Sequence, residues 1–172
     1  MTERAPHSDP EIRIEPFDGS QELADTVATK HLEIRLRQRI DGENEFRSNI
    51  KDSQPDLREM QKYYVEPGGN FWIAKDASSQ AIAGFVGLKR EAERHGRLKR
   101  MSVMPEFRGR QLGLRLARTL VTWALEQDFV LIKLSTGKDE LARSLVYEPL
   151  GFTLVGFDAS HDDHLMELRL SS

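Results

Sequence analysis

The sequence predicts a mixed α/β fold in which helices flank one sheet, and three observations carry that expectation. Short apolar or alternating runs of strand length recur along the chain. Residues 20–39 and 112–128 repeat apolar side chains at helical spacing, and glycine, proline and small polar residues punctuate the boundaries. Period-2 and period-3.6 patterns alternating in this way place strands and helices in one layered domain.

Residues 1–10 hold two prolines among polar residues and read as a loose tail, leaving residues 11–172 as one domain. Glu11-Ile-Arg-Ile-Glu15 alternates as a short first strand does. Across residues 20–39, Leu23, Val27, His31 and Ile34 share a helical face, with Ser20 placed to cap the N-terminus. A second, less periodic helix is expected within residues 43–64, stopped by Pro67-Gly68-Gly69-Asn70. Residues 71–75 and 81–88 read as a hairpin across a polar connection, and a reversal over residues 91–96 leads into a strand over 98–104. Leu112, Leu116, Leu120 and Trp123, with Val121 and Ala124, give the next helix a buried stripe ending near Asp128. Residues 130–134 suit a buried central strand, residues 141–146 a helix stopped by Pro149 and Gly151, and residues 152–157 and 165–170 a closing hairpin.

Composition narrows the classes. The 172 residues suffice for one sizeable core and are short for two domains. A formal charge of −3 with 38% hydrophobic and 31% charged residues is that of an ordinary globular chain, neither a disordered segment nor a nucleic-acid binder. With no cysteine, disulfides, a thiolate nucleophile and cysteine-ligated zinc are excluded. No run approaches a membrane span and residues 1–10 lack a signal-peptide core, so a cytoplasmic location with no membrane partner is the expectation. Charge is uneven: residues 89–118 carry ten basic residues against three acidic ones, a local balance of +7. Such a strip steers polyanions, although aromatics do not interleave with it as they would on a nucleic-acid surface.

Residues 98–117, LKRMSVMPEFRGRQLGLRLA, run from an apolar strand through an Arg/Gly loop directly into the amphipathic helix. A helix start offers backbone N–H groups without intrahelical partners and the positive end of the macrodipole, and glycine lets a ligand approach the backbone. This is an anion site suited to a phosphate-bearing cofactor. Arg108-Gly109-Arg110-Gln111-Leu112-Gly113 resembles the coenzyme A loop of the GCN5-related N-acetyltransferases, Arg/Gln-x-x-Gly-x-Gly/Ala, with Gln111 where the pattern has its first glycine. Tyr147-Glu148-Pro149-Leu150-Gly151-Phe152 resembles the family's Tyr-x-x-x-Gly-Phe segment. Residues 134–147 are similar to the branch that includes cysteine-conjugate acetyltransferases.

The resemblance implies a GNAT fold with a mixed, mainly antiparallel sheet, and an enzyme that moves an acetyl group from acetyl-CoA to an amine by direct attack in a ternary complex. It implies that backbone groups of Met101, Ser102 and Val103 hold the pantetheine arm and polarise the acetyl carbonyl. The loop Arg108, Gly109, Arg110, Gln111, Leu112 and Gly113 would hold the pyrophosphate. It further implies Tyr147 as the proton donor to the departing thiolate, a role open to a phenol with a reference pKa of about 10.

Some family members place a glutamate base at the position occupied here by Arg97, and a guanidinium cannot do that work at neutral pH. Glu93 is the candidate base nearby, with Glu91 and His95 as neighbours. A water relay or an already neutral amine would also suffice. Arg97 and Lys99 share one side of their strand by alternation, with Leu98 and Arg100 on the other: either the pair faces the carboxylate of an acceptor, or it is an exposed, ion-paired strand face. His31 and Arg35 on the first helix, with Arg37, are candidates for the same groove. His161-Asp162-Asp163-His164 combines two histidines with two carboxylates but lies between strands, so a solvated turn is expected and no metal. The expected acceptor is a small-molecule amine, either a carboxylate-bearing amino acid or a conjugate. Protein acetylation and a catalytically silent coenzyme A module are the alternatives. Family members are often dimers, which makes a homodimer an expectation by resemblance.

Overall fold

The computed structural model describes residues 11–40, 54–137 and 140–171. Strand β1 (Ile12–Pro16) leads into helix α1 (Gln21–Ile40), followed by the short helix α2 (Pro55–Arg58) and a wide π turn at Gln61–Val65. Strands β2 (Asn70–Asp76), β3 (Ile82–Ala92) and β4 (His95–Val103) form a meander. Helix α3 (Leu112–Glu126), strand β5 (Leu131–Thr136), helix α4 (Glu140–Ala142), a second π turn (Arg143–Tyr147) and strands β6 (Thr153–Asp158) and β7 (Asp163–Arg169) complete the chain. The sheet has seven strands in the order β1-β2-β3-β4-β5-β7-β6, and β4–β5 is its parallel pair among antiparallel neighbours.

Alternation along β2 and β3 divides the core into two layers. Trp72, Ala74, Val86 and Leu88 face α3 and pack with Leu112, Leu116, Leu120 and Ala124 from that helix. Phe71, Ile73 and Phe85 face the other way, onto Ala24, Val27 and Ile34 of α1 and onto Leu57, Met60 and Tyr64. Covering both faces explains why β2 and β3 read as near-continuous apolar runs. Gly87 is required here: a Cβ would lie 2.7 Å from the Phe71 ring and 2.8 Å from the Tyr64 ring, so its absence lets the π turn press onto β3.

The amphipathic stripes, the hairpins and the N-cap follow the expected pattern, with the Leu23 N–H donating to Ser20 Oγ at 3.2 Å. Three expectations need correction. The reversal over residues 91–96 shrinks to Glu93 and Arg94, because the charged residues around it extend the ladder: Arg97 on β4 donates to Glu91 on β3 at 2.6 Å. The second helix falls partly outside the described residues, and its described remainder is two short turns that insert Leu57, Met60 and Tyr64 into the core. The helix over residues 141–146 widens into a π turn that carries Tyr147 inward and leaves Leu141 and Leu145 exposed.

Leu120 is fully buried in the layer beneath α3. Leu120→Ala should destabilise the fold by about 2–5 kcal/mol through lost burial and a residual cavity, read as a lower urea midpoint at unchanged m-value.

Candidate active site

Strands β4 and β5 pair over His95↔Leu131, Gly96↔Ile132 and Arg97↔Lys133, and then part. Each keeps its outer partner: β4 stays on β3 to Val103↔Gly84, and β5 stays on β7 to Thr136↔His164. The sheet is therefore split at its centre, with ladder-edge backbone lining the opening on both sides. Such an edge can hydrogen-bond an extended polar ligand as another strand would.

A bulge shapes the β4 side. Phe85 pairs with Ser102 and Gly87 with Lys99, so β4 carries one extra residue across this interval. Arg100 has φ +62°, which throws its side chain off the expected alternation. It does not join Leu98 beneath α3. Instead its guanidinium crosses to α2 and donates to Asp56, Nε to Oδ2 at 2.9 Å and Nη2 to Oδ1 at 2.7 Å. The Tyr64 hydroxyl donates to Asp56 Oδ2 at 2.7 Å. Burial alone would raise the Asp56 pKa, but the bonds from Arg100 and Tyr64 outweigh it and hold the carboxyl below its ordinary value. Burial and the Asp56 charge push the Tyr64 phenol up, so it remains a donor. Met101, Ser102 and Val103 follow Arg100 directly along the opening.

The loop Arg108 to Gln111 is exposed and ends at α3. Gln111 adopts the left-handed conformation at φ +57°, which explains why the related pattern has glycine there. The first turn of α3 has neither a side-chain cap nor an acidic residue, so its N–H groups and positive dipole end are available to an anion, with Arg108 and Arg110 beside them. Gly113 lies in that turn; a Cβ there would stand 3.3 Å from Val146 and 3.8 Å from Val103. The end of β4, the start of α3 and the residue before Tyr147 thus meet at one point. Tyr147 itself is buried against Phe152, ring centroids 5.8 Å apart, and burial pushes its phenol up to about 12.

The other sequence-derived candidates separate. Glu93 is exposed in the β3–β4 turn, beyond the closed end of the split. Five strand residues, about 20 Å of chain in six steps, separate His95 from Met101, so the structure does not bring Glu93 together with Met101. Arg97 is ion-paired with Glu91. Lys99 faces the π turn, where its ammonium and that of Lys89 both donate to the Tyr63 hydroxyl, at 3.2 and 3.1 Å. His31 is buried, with Nδ1 2.6 Å from Gln54 Nε2 and its ring 6.1 Å from Phe85, whereas Arg35 is exposed and Arg37 pairs with Glu106. His161 Nδ1 lies 2.8 Å from Asp158 Oδ2 in an exposed turn. The +7 strip is dispersed: Arg97 and Arg100 are neutralised by carboxylates, and Arg94 and Arg115 donate to the Asp128 and Ile12 carbonyls. Asp56, Tyr63, Tyr64 and Lys89 were not among the candidates, since only the fold brings α2 and the first π turn to β4.

The split between parallel strands thus lies beside an uncapped helix start behind a glycine loop. Residues 36–152 match the model of the acetyltransferase (GNAT) family, and the chain belongs to that family. It is 31% identical over 102 residues to N-acetylaspartate synthetase of Danio rerio, covering 59% of this chain and 36% of that protein. Human N-acetyltransferase 8B is 30% identical over 112 residues, 62% of this chain and 48% of its own length. The chain therefore spans well under half of the synthetase it matches. A GNAT-family acetyltransferase from Staphylococcus aureus Mu50 superposes with a TM-score of 0.76 at 24% identity, over 94% of this chain and 100% of that one. PaiA N-acetyltransferase from Thermoplasma acidophilum, solved in complex with coenzyme A, gives 0.71 at 17% identity over 93% and 99%.

Burial, with the charges of Arg100 and Arg35 adding to it, lowers the His31 pKa to about 4 against the opposing Gln54 bond and Asp56 charge. The unfolded chain binds this proton near pH 6.5 and the folded one near 4, so stability contributed by neutral His31 is lost as pH falls between them, at up to about 1.4 kcal/mol per unit. Urea midpoints across that range should fall for the wild type, and His31→Gln should lose much of the slope. Gly113→Trp should abolish coenzyme A binding by calorimetry with the far-ultraviolet spectrum retained, since the ring would drive into Val146 and Val103.

Proposed function

We propose that this chain is an N-acetyltransferase that carries acetyl from acetyl-CoA to the amine of a carboxylate-bearing small molecule, by direct attack in a ternary complex. The observation that carries this reading is the convergence of the β4–β5 opening, the uncapped start of α3 and the Tyr147 turn. Family membership and the names of the relatives support it.

The first turn of α3, with Arg108, Gly109, Arg110, Gln111, Leu112 and Gly113, takes the pyrophosphate. Backbone groups of Met101, Ser102 and Val103 hold the pantetheine arm at the strand edge, and an amide from this segment polarises the acetyl carbonyl. The acceptor must be neutral to attack. Its proton leaves to water, because Glu93 is distant and Arg97 cannot accept one. The adduct nitrogen then sheds its second proton, the adduct collapses with cleavage of the C–S bond, and the thiolate takes the Tyr147 proton, which the released proton replaces. A phenol raised to about 12 is fully protonated at neutral pH, so the proton is in place when the thiolate leaves.

Acetyl-CoA should bind by calorimetry, and a free-thiol assay across amino acids, polyamines and a lysine peptide should show release with the amino acids. Binding without release on any class would remove the transferase reading. Tyr147→Phe should lower turnover by about 100-fold while leaving coenzyme A affinity within about twofold, because the ring packing survives and only the donor is lost. Unchanged turnover would remove Tyr147 from the acid role.

A further inference from the structure

The α1 face of the split sheet carries a charge arrangement that the transfer chemistry leaves unused. Lys89 on β3 and Lys99 on β4 both direct their ammonium groups onto one oxygen, the Tyr63 hydroxyl, at 3.1 and 3.2 Å. They also lie over the same ring, 4.2 and 5.2 Å from its centroid. All three residues are half-buried. Two ammonium groups sharing one oxygen are at most about 6 Å apart, close enough to repel each other and to be bridged by the two oxygens of one carboxylate.

The two arginines of β4 have their counter-charges. Arg97 pairs with Glu91, and Arg100 pairs with Asp56. Asp56 is within electrostatic reach of Lys99, but both of its oxygens are taken by Arg100 and Tyr64. Among the described residues, neither Lys89 nor Lys99 has a carboxylate within ion-pair distance. The phenol offers them a weak substitute: burial opposes its ionisation, yet the two hydrogen bonds and the two charges hold Tyr63 below its ordinary value. The group that would complete this set is an anion.

Position selects which anion. The cluster lies on the α1 face of the sheet, whereas the pyrophosphate loop opens α3 on the opposite face, so the phosphates of coenzyme A are directed elsewhere. Lys99 lies two residues past the last β4–β5 pair, at the entrance to the split. A small acceptor held there by its acid group keeps its amine beside the β4 backbone. We infer that Lys89, Lys99 and the Tyr63 hydroxyl form an anion subsite that takes the carboxylate of the acceptor. This rests on the transfer reading above and names the side chains that select the substrate.

Two arms test it separately from that reading. The first compares thiol release with an amino acid and with its methyl ester, which keeps the amine and removes the negative charge. The wild type should favour the acid by about tenfold or more in kcat/KM, and Lys89→Met/Lys99→Met should bring the ratio to within about twofold by raising KM for the acid, with coenzyme A affinity retained. An unchanged ratio in the double variant, or no preference in the wild type, overturns the subsite and leaves the transferase standing. The second arm needs no turnover: succinate is titrated into the coenzyme A complex while the Tyr63 ring resonances are followed by NMR. A saturable shift in the wild type that is lost in Lys89→Met, and in Lys99→Met where the double variant folds poorly, supports the subsite even if no acceptor reacts. A ring insensitive to succinate overturns it.

Discussion

Parallel pairing between β4 and β5 lasts three residues and then stops, while each strand stays bound to its outer neighbour. That interruption creates the backbone edge on which the candidate chemistry depends. Beside it, β4 is bonded to sequence-remote parts of the chain. The bulge in β4 places Arg100 in a left-handed conformation, and the bidentate bond to Asp56, reinforced by Tyr64, ties the strand to α2 and the first π turn. Removing one partner from a buried pair of this kind typically costs about 3–5 kcal/mol, because the other charge is left without compensation. Here the same loss would also free the backbone that lines the opening.

Much of this was legible from residue order. The α3 stripe, the strand–loop–helix arrangement at residues 98–117 and the Tyr147 segment are local patterns, and local patterns survive folding. What could not be read depends on departures from regular period. One extra residue in β4 reverses the direction of Arg100, so alternation placed it under α3 when it belongs to α2. Asp56 and Tyr63 carry no motif; they gain meaning only because α2 and a π turn with Gly87 beneath it lay them against β3 and β4. Glu93 was chosen by proximity in sequence, and a strand converts that proximity into distance.

The basic strip illustrates the same point for electrostatics. Counted along the chain it is one patch, but in the sheet its members face two layers and several partners. Arg94, Arg97, Arg100 and Arg115 are satisfied by carboxylates or carbonyls, while the loop arginines stand on one face and the lysine pair on the other. Under the proposed reading, the division gives each substrate its own field, a polyanion at the helix start and a single acid group at the mouth of the split.

Gln111 has a further consequence. A side chain at φ +57° costs about 1 kcal/mol where glycine would cost little, and the chain carries that cost at the entrance to α3. The loop is therefore curved by its own backbone, and glutamine samples fewer alternative conformations than glycine would. Under the proposed reading, an arriving diphosphate needs to order less of the chain, so part of its affinity comes from disorder already removed, and recognition at this loop is closer to a preformed socket than to a closing hand.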